Sequence, residues 1–269
     1  MPEAPKTILI TGASSGFGAA IAGKLAAAGH RVYGTSRHAR PDQGPVRMLT
    51  LDVTDPASIA VCLQTLLAEA GRLDVLINNA GNGICGAIED SSIAEGQAQL
   101  DTNFFGPARM IHAVLPRMRA QGSGRIITVG SLAGHAALPF QAYYSASKFA
   151  LEGLNEALRL ELSGGKIDAT IICPGDFRTG FTAARVFTAA ARAGANTERL
   201  HRTVQIYERD ENNGADPEHV AALVARLVAA PRVKTRYLVG KFDQRLGITL
   251  KRVLPAGWFE AIMRSTYKL

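Results

Sequence analysis

The sequence predicts one α/β domain in which about seven parallel strands form a doubly wound sheet with helices on both faces. Short runs rich in β-branched residues are typical of buried strands, and seven occur: TILIT, RVYGTS, RMLTLDV, DVLINNA, RIITVGS, ATIICPG and RYLVG. Stretches with apolar residues near helical spacing lie between them, at 17–28, 56–70, 102–120, 145–162 and 217–229. The 269 residues are 47% hydrophobic and contain no low-complexity block or clear internal repeat, which favours a single domain over 1–269.

The first strand runs into a glycine-rich turn that opens the first predicted helix. Gly12, Gly16 and Gly18 allow the backbone to turn tightly and to approach a pyrophosphate at the helix N-terminus. A glycine triplet alone is weak evidence, and the GxxxGxG spacing differs from the GxGxxG of the commonest dinucleotide fingerprint. The order strand, turn and helix nevertheless supports a phosphate-binding turn.

The second strand ends about 20 residues after the glycine turn, where a carboxylate would bond the ribose hydroxyls in NAD-specific proteins. Ser36 and Arg37 stand there instead, with His38 and Arg40 close behind. A guanidinium matches phosphate oxygens with paired donors, whereas a carboxylate would repel them. The sequence therefore predicts NADP(H) in preference to NAD(H), and the alternative is an ordinary solvated arginine after a strand.

The later strand ends carry a series of further motifs. These are NNAG at 78–81, Ser131 at the end of RIITVGS, Tyr144 and Lys148 spaced as YxxxK, and PG at 174–175. Together with TGASSGFG they resemble the short-chain dehydrogenase/reductase family, in that family's order and over almost the whole chain. The resemblance implies a Rossmann fold and an oxidoreductase that interconverts a carbonyl and an alcohol, with hydride transfer from the pro-S face of a nicotinamide cofactor.

Two adjacent tyrosines compete for the role of general acid. Residues four apart on a helix share a side, so Lys148 is a neighbour of Tyr144 while Tyr143 points elsewhere. A nearby ammonium, helped by the positive nicotinamide ring, is expected to lower the pKa of a phenol from its usual value of about 10. We therefore predict that Tyr144 is the acid, that Lys148 tunes it, and that Tyr143 packs or lines the pocket. The resemblance implies that Lys148 also bonds the nicotinamide ribose.

The resemblance implies two more catalytic residues. Ser131 matches the serine that holds the substrate oxygen as negative charge develops, although a strand-ending serine can also merely bond backbone. Asn103 in LDTNFFG matches an asparagine that binds water in a proton relay to Lys148. A buried asparagine that pairs with a bent helix backbone is the alternative for Asn103, and the two roles are compatible.

The resemblance also implies a set of cofactor contacts. Asp52 is expected at the adenine, Asn79 to Gly81 on the adenosine side, Pro174 and Gly175 behind the nicotinamide, and Thr179 at its carboxamide or at the phosphate. The full predicted set is Gly12, Ser14, Ser15, Gly16, Phe17, Gly18, Ser36, Arg37, Asp52, Val53, Asn79, Ala80, Gly81, Tyr144, Lys148, Pro174, Gly175, Phe177 and Thr179.

The substrate region is less defined by the sequence. Residues 176–215 lack a clear strand, and a connection of about 40 residues predicts a substrate lid. Aromatic residues and a histidine could line a pocket for a lipophilic ketone or alcohol, with ordinary core packing as the alternative: His135, Phe140, Tyr143, Phe177, Phe181 and Phe187. GTSRH and the C-terminal extension are similar to family members that act on steroids, retinoids and other lipophilic carbonyls.

The positive charge is concentrated at the C-terminus. Residues 231–269 contain nine Lys or Arg against Asp243 and Glu260, whereas the first 230 residues are neutral. A basic, aromatic extension over 240–269 could lie on an anionic membrane or on nucleic acid. We favour a solvated helix whose apolar side packs on the domain, so we expect no nucleic-acid partner and disfavour peripheral membrane contact.

The remaining expectations concern location, metals and assembly. The N-terminus lacks the pattern of a signal peptide, which predicts the cytoplasm. Cys62, Cys85 and Cys173 form no CxxC pair, so we expect neither disulfides nor a metal site. We expect a small-molecule carbonyl or alcohol substrate and a homodimer or homotetramer. The alternative function is a non-catalytic nicotinamide-nucleotide sensor or scaffold with a basic C-terminal surface, against which the intact Ser131, Tyr144 and Lys148 argue.

Overall fold

The computed structural model describes residues 4–269, with a central sheet of seven parallel strands and a separate pair of short strands. In chain order the strands are β1 (Thr7–Ile10), β2 (Arg31–Ser36), β3 (Arg47–Thr50), β4 (Val75–Asn78), β5 (Ile84–Cys85), β6 (Gly124–Val129), β7 (Ile167–Pro174), β8 (Val186–Phe187) and β9 (Arg236–Val239). The central order is β3-β2-β1-β4-β6-β7-β9, and β5 pairs with β8. The predicted seven-stranded doubly wound sheet is confirmed.

Helices cover both faces of the sheet. They are α1 (Gly16–Ala27), α2 (Pro56–Ala70), α3 (Ile93–Leu100), α4 (Gly106–Gln121), α5 (Ala142–Glu161), α6 (Thr197–Asn212), α7 (Glu218–Ala229), α8 (Phe242–Val253) and α9 (Ala256–Tyr267). Leu25 of α1 and Val224 of α7 are buried in one core layer. Leu66 of α2 and Met110 of α4 are buried in the layer on the opposite face. Because both sides of the sheet are covered, the central strands consist largely of consecutive buried apolar residues rather than alternating apolar and polar ones.

The sheet places the strand ends around one crevice. The chain winds outward from β1 to β2 and β3 and then returns to β4 on the other side of β1. At such a change of direction the two following connections diverge and leave a crevice at the carboxyl ends of the central strands. Gly12, Asn79, Ser131 and Gly175 all follow strands at this edge.

A π-helical turn interrupts the helix that the sequence predicts at 102–120. α3, the π turn Asp101–Phe105 and α4 follow one another without a break. The helix α3 was not predicted from the sequence, although Ser92 and Glu95 form a capping box at its start. Its polar residues and Gly96 weaken the apolar periodicity, so the capping pattern was the stronger local indication.

The predicted lid contains regular structure. The short strand β8 and the helix α6 lie within 176–215. Leu200, Val204 and Tyr207 of α6 are buried at helical spacing and pack in a small core with Cys85. The apolar residues of α6 are few among many charged ones, so its apolar periodicity was too weak to predict a helix from the sequence.

The C-terminal extension forms α8 and α9, which are separated at Leu254 and Pro255. Within residues 4–269, no helix combines the length and the apolar character that crossing a membrane requires. The three cysteines are free and buried, and they lie in different parts of the fold: Cys62 in α2, Cys85 in β5 and Cys173 in β7.

Candidate active site

The glycine turn is built against the end of β4. Gly12 has a φ of +66°, and a Cβ on Gly18 would lie 2.2 Å from the Gly12 carbonyl oxygen. The Asn79 side-chain amide donates to the carbonyl oxygens of Thr11 and Gly12, at 2.9 Å each. The backbone N–H groups of Asn79 and Ala80 both donate to the Thr11 hydroxyl, also at 2.9 Å. The side chain of Asn79 therefore holds the turn in shape.

The start of α1 fits an anionic cofactor group. Ser15 stands at the N-cap with an extended backbone but makes no side-chain capping bond, and the first turn carries no acidic residue. The first backbone N–H groups of a helix lack partners within the helix, and the helix dipole favours negative charge there. With the compact glycine turn, this arrangement suits the pyrophosphate of a dinucleotide.

The ends of β2 and β3 bring Arg37 near Asp52. Asp52 accepts hydrogen bonds from the Thr54 N–H at 2.9 Å and from the Thr54 hydroxyl at 2.7 Å. These bonds, with a smaller contribution from the charge of Arg37, hold the pKa of Asp52 below its usual range. Arg37 is exposed, Ser36 is half-buried, and Val53 is buried against Gly106 of α4.

The structure brings Ser131, Tyr144 and Lys148 together. Ser131 follows β6, and its hydroxyl accepts a hydrogen bond from the Ala133 N–H at 3.1 Å. It also lies close enough to the Tyr144 hydroxyl in α5 to lower the pKa of that phenol. The Lys148 ammonium lies one helical turn further on, 5.7 Å from the centre of the Tyr144 ring, and donates to the Val129 carbonyl oxygen at 3.1 Å. Tyr143 instead packs against α3, where a Cβ on Gly96 would lie 2.6 Å from its ring.

Burial dominates the ionisation of this group. It raises the pKa of Tyr144 to about 12, against a lowering contribution from the nearby Ser131 hydroxyl. It lowers the pKa of Lys148 to about 8. Desolvation of the phenolate is thus the largest influence that the protein groups exert on Tyr144, and a lower pKa in the presence of Lys148 and a positive nicotinamide ring stays a prediction.

Asn103 lies in the π turn and is almost fully buried. Its carbonyl oxygen accepts from the Asn82 N–H at 3.0 Å, and its amide donates to the Asn82 carbonyl at 2.9 Å and to the Ser147 hydroxyl at 3.3 Å. The alternative role predicted for Asn103 was a bond to the backbone of a bent helix. Asn103 does lie in an irregular turn of the helix, but its backbone partner is Asn82 in the loop after β4. Gln99 pins the same loop through Asn82 and Ile84. The sequence analysis missed Gln99.

The loop after β7 lies between the glycine turn and the C-terminal extension. The Gly175 N–H donates to the Val239 carbonyl oxygen at 2.7 Å. Phe177 packs edge-on against Phe17 with ring centres 5.2 Å apart, and Thr179 lies beside Gly16. Gln244 of α8 donates from its amide to Asp176. The sequence could not reveal Gln244 as a neighbour of this loop, since 68 residues separate it from Asp176.

Within the predicted lid, Phe181 covers Tyr144 at a distance of 5.6 Å between ring centres. Arg185 pairs with Glu211 of α6 and lies over the Phe181 ring, and the Thr182 hydroxyl donates to Glu211. Most other predicted pocket residues are packing residues instead. Phe177 belongs to the main core, whereas Phe140 and Phe187 pack in the small core around Tyr207.

His135 is also not in the substrate region that the sequence suggested. It lies 3.2 Å from Glu152, and Cys173 donates to the same carboxylate at 3.0 Å. Burial alone would raise the pKa of Glu152, but the proximity of His135, the hydrogen bond from Cys173 and the charge of Arg236 lower it. The side chains of His135, Glu152 and Cys173 offer ligand atoms that lie close enough together to bind a metal. Arg236 already bonds the carboxylate at 2.8 Å, so the cluster is neutralised by protein groups, and a site without metal stays our prediction.

Comparison with known proteins gives a consistent result. The family model for short chain dehydrogenase matches residues 6–189. A 3-ketodihydrosphingosine reductase of Bacteroides thetaiotaomicron is 42% identical over 98% of this chain and 99% of its own length. Retinol dehydrogenase 8 of Homo sapiens is 34% identical over 100% of this chain and 91% of its own. A solved short-chain dehydrogenase from Streptomyces avermitilis has a TM-score of 0.82 at 33% identity, over 98% and 96% of the two chains.

Two further solved structures contain a cofactor. A short-chain dehydrogenase/reductase from Burkholderia phymatum, in complex with NAD, has a TM-score of 0.79 at 25% identity, over 94% of each chain. A serine dehydrogenase complexed with NADP+ has a TM-score of 0.75 at 27% identity, over 88% of this chain and 95% of its own. Fold, strand-end residues and these relatives agree, and the chain belongs to the short-chain dehydrogenase/reductase family of oxidoreductases, which use a nicotinamide cofactor.

Proposed function

We propose that this protein is an NADP(H)-dependent ketoreductase and alcohol dehydrogenase that acts on a lipophilic ketone or its alcohol. The observation that carries the proposal is the convergence of the Ser131 hydroxyl, the Tyr144 hydroxyl and the Lys148 ammonium at the carboxyl end of β6. A hydrogen-bond donor, a proton donor and a cation around one point are what a carbonyl oxygen needs as it gains negative charge.

In the proposed reaction, Tyr144 gives its hydroxyl proton to the substrate oxygen during reduction and takes it back during oxidation. Ser131 donates a hydrogen bond to the same oxygen and stabilises its developing charge. A pKa of about 12 keeps Tyr144 protonated at neutral pH, which suits an acid that must wait for that charge. A nicotinamide cofactor, when bound, would supply or accept the hydride at the substrate carbon, and the positive charge of its oxidised ring would favour the Tyr144 phenolate. The Lys148 ammonium adds positive charge from its position beside the Tyr144 ring.

We propose that Asn103 supports proton return to Tyr144. It is buried between the Asn82 backbone and the Ser147 hydroxyl, and Ser147 directly precedes Lys148 in α5. Its fixed position would let a water bridge the buried Lys148 ammonium and the loop after β4.

Arg37 supports the preference for NADP(H). The end of β2 has no carboxylate of its own, and the nearby Asp52 is occupied by Thr54. An exposed guanidinium at this point can meet a 2′-phosphate with paired donors.

The proposed substrate class rests on the relatives and on Phe181 of the predicted lid, which covers Tyr144. We propose a long-chain ketone such as 3-ketodihydrosphingosine as the first candidate, because the corresponding reductase of Bacteroides thetaiotaomicron is aligned over nearly the whole of both chains. The loss of NADPH absorbance should be measured with 3-ketodihydrosphingosine and with a small water-soluble ketone, and its gain should be measured with retinol and NADP+. Turnover on the long-chain ketone is expected. Tight NADPH binding without turnover on any of them would favour the sensor alternative.

A homodimer or homotetramer and a cytoplasmic location complete the proposal. Analytical ultracentrifugation of the full chain tests the first, and fractionation of the native cells tests the second.

A further inference from the structure

The helix α8 has an inner side that contacts the domain and an outer side of exposed apolar residues. Its inner side carries Gln244, Ile248 and Lys251, which contact Asp176, the core and the His135 carbonyl, respectively. Its outer side carries Phe242, Leu246 and Val253, at spacings of four and seven residues. Phe242 is 73% exposed and Val253 is 70% exposed, so the domain does not cover this side. A helix that only packs on its own domain needs only the first of these sides.

The helix α9 shows the same division. Tyr267 packs on Tyr207 of α6, with ring centres 5.1 Å apart. Trp258 and Ile262 lie on successive turns of another side and are 69% and 44% exposed. No residue of α9 is buried. Single exposed apolar residues are ordinary, but six large ones lie within the last 28 residues, and such a concentration marks an interaction surface: Phe242, Leu246, Val253, Trp258, Ile262 and Leu269.

Positive charge surrounds these apolar residues. Arg245 and Arg252 are exposed on α8, seven residues apart, beside its outer side. Residues 231–269 hold nine basic residues against two acidic ones, while the preceding 230 residues are neutral. Apolar and aromatic side chains next to Lys and Arg are the composition of helices that lie in the plane of an anionic membrane surface.

Against the expectation from the sequence, which disfavours membrane contact by this extension, we propose that the outer sides of α8 and α9 form a docking surface for an anionic lipid bilayer. A second copy of this chain fits less well, because it would bring two segments of the same strong positive charge together. Nucleic acid would match the charge but would leave the apolar side chains in water. The inner side of α8 contacts the loop at Gly175 and Asp176, so docking would hold the candidate active site close to the lipid surface.

The test is co-sedimentation of the full chain with vesicles of phosphatidylcholine, alone or mixed with phosphatidylglycerol. Wild type should bind the mixed vesicles and bind the neutral ones far less. Phe242→Ser with Trp258→Ser should weaken binding to mixed vesicles at least about tenfold, because each large side chain leaves the interface. Arg245→Gln with Arg252→Gln should weaken it roughly tenfold or more. The control is Val61→Ser with Leu160→Ser, which removes apolar side chains that are 62% and 78% exposed elsewhere.

Thermal unfolding of every variant should match that of wild type, since the substituted side chains are exposed. The proposal is overturned if wild type ignores mixed vesicles, if it binds neutral vesicles equally well, or if the control pair weakens binding as much as the test pair. It is also overturned if an oligomer of wild type dissociates in the Phe242 and Trp258 variant without any vesicle binding. Binding of RNA that survives this variant, in the absence of vesicle binding, would assign the surface to nucleic acid instead.

Discussion

At the scale of single residues, Tyr143 and Tyr144 are adjacent in sequence but face different surroundings. The Tyr144 ring lies between Lys148 and Phe181, whereas the Tyr143 ring packs on Gly96. We expect Tyr144→Phe to lower kcat by about 10² to 10⁴ while NADPH still binds, because the acid is lost and the ring is kept. Tyr143→Phe should retain most of the activity, because packing needs only its ring. Steady-state rates and NADPH fluorescence measure both effects, and equal losses in the two variants would refute the assignment.

Arg37 gives a second prediction at this scale. Arg37→Asp should lower kcat/KM with NADPH and raise kcat/KM with NADH, because a carboxylate repels the 2′-phosphate of NADPH and can accept hydrogen bonds from the ribose hydroxyls of NADH. Arg40→Asp is the matched control, since it changes charge equally at a more distant exposed position. A wild-type kcat/KM with NADH that equals or exceeds that with NADPH would contradict the proposed preference.

At the scale of elements, Glu152 joins α5 to three other parts of the fold. Its carboxylate meets His135 after β6, Cys173 in β7 and Arg236 in β9. A carboxyl whose pKa is lowered by folding contributes stability above its unfolded pKa, near 4.5, and this contribution is lost as pH falls through the folded value. Glu152→Gln should therefore lower the free energy of unfolding by roughly 1–3 kcal/mol at neutral pH, and the difference should shrink at acid pH.

Glu156→Gln provides the comparison for Glu152. Glu156 bonds the same Arg236 but its side chain is 55% exposed, so its loss should cost at most about 1 kcal/mol. Denaturant unfolding of both variants at neutral and acid pH measures the difference. A pH-independent loss in Glu152→Gln would show that packing, and not charge, dominates at this position.

At the scale of the whole molecule, α9 supports the lid from a distance. Tyr267 packs on Tyr207 of α6, and α6 carries the Glu211 that holds Arg185 and Thr182 near Phe181. A chain that ends at Pro255 should have a higher KM for the long-chain ketone than wild type and a smaller change for a small ketone. Steady-state kinetics with both substrates decides this, and equal changes would indicate a general loss of stability instead.

The whole fold also indicates what local sequence can predict. The seven strands of the sheet were predictable because each is a short apolar run bounded by turn residues, and Tyr144 was selected over Tyr143 by helical spacing alone. The contacts of Gln244, Arg185 and Glu152 were not predictable. Each depends on segments tens of residues apart that meet only when the sheet order is known. The effect of burial on the pKa of Tyr144 was not predictable for a related reason, since burial is a property of the assembled fold.

The rate at which each of the three buried thiols is alkylated would report how often its part of the fold opens. Burial raises the pKa of both Cys62 and Cys85 to about 12, and it raises that of Cys173 further, so none is a reactive thiolate at neutral pH. An alkylating reagent can then modify each one only while its surroundings are open. Cys85, in the short β5–β8 pair beneath the predicted lid, should react first, and Cys173 in the central sheet should react last. Mass spectrometry of timed samples would follow this order, and immediate modification of all three would contradict it.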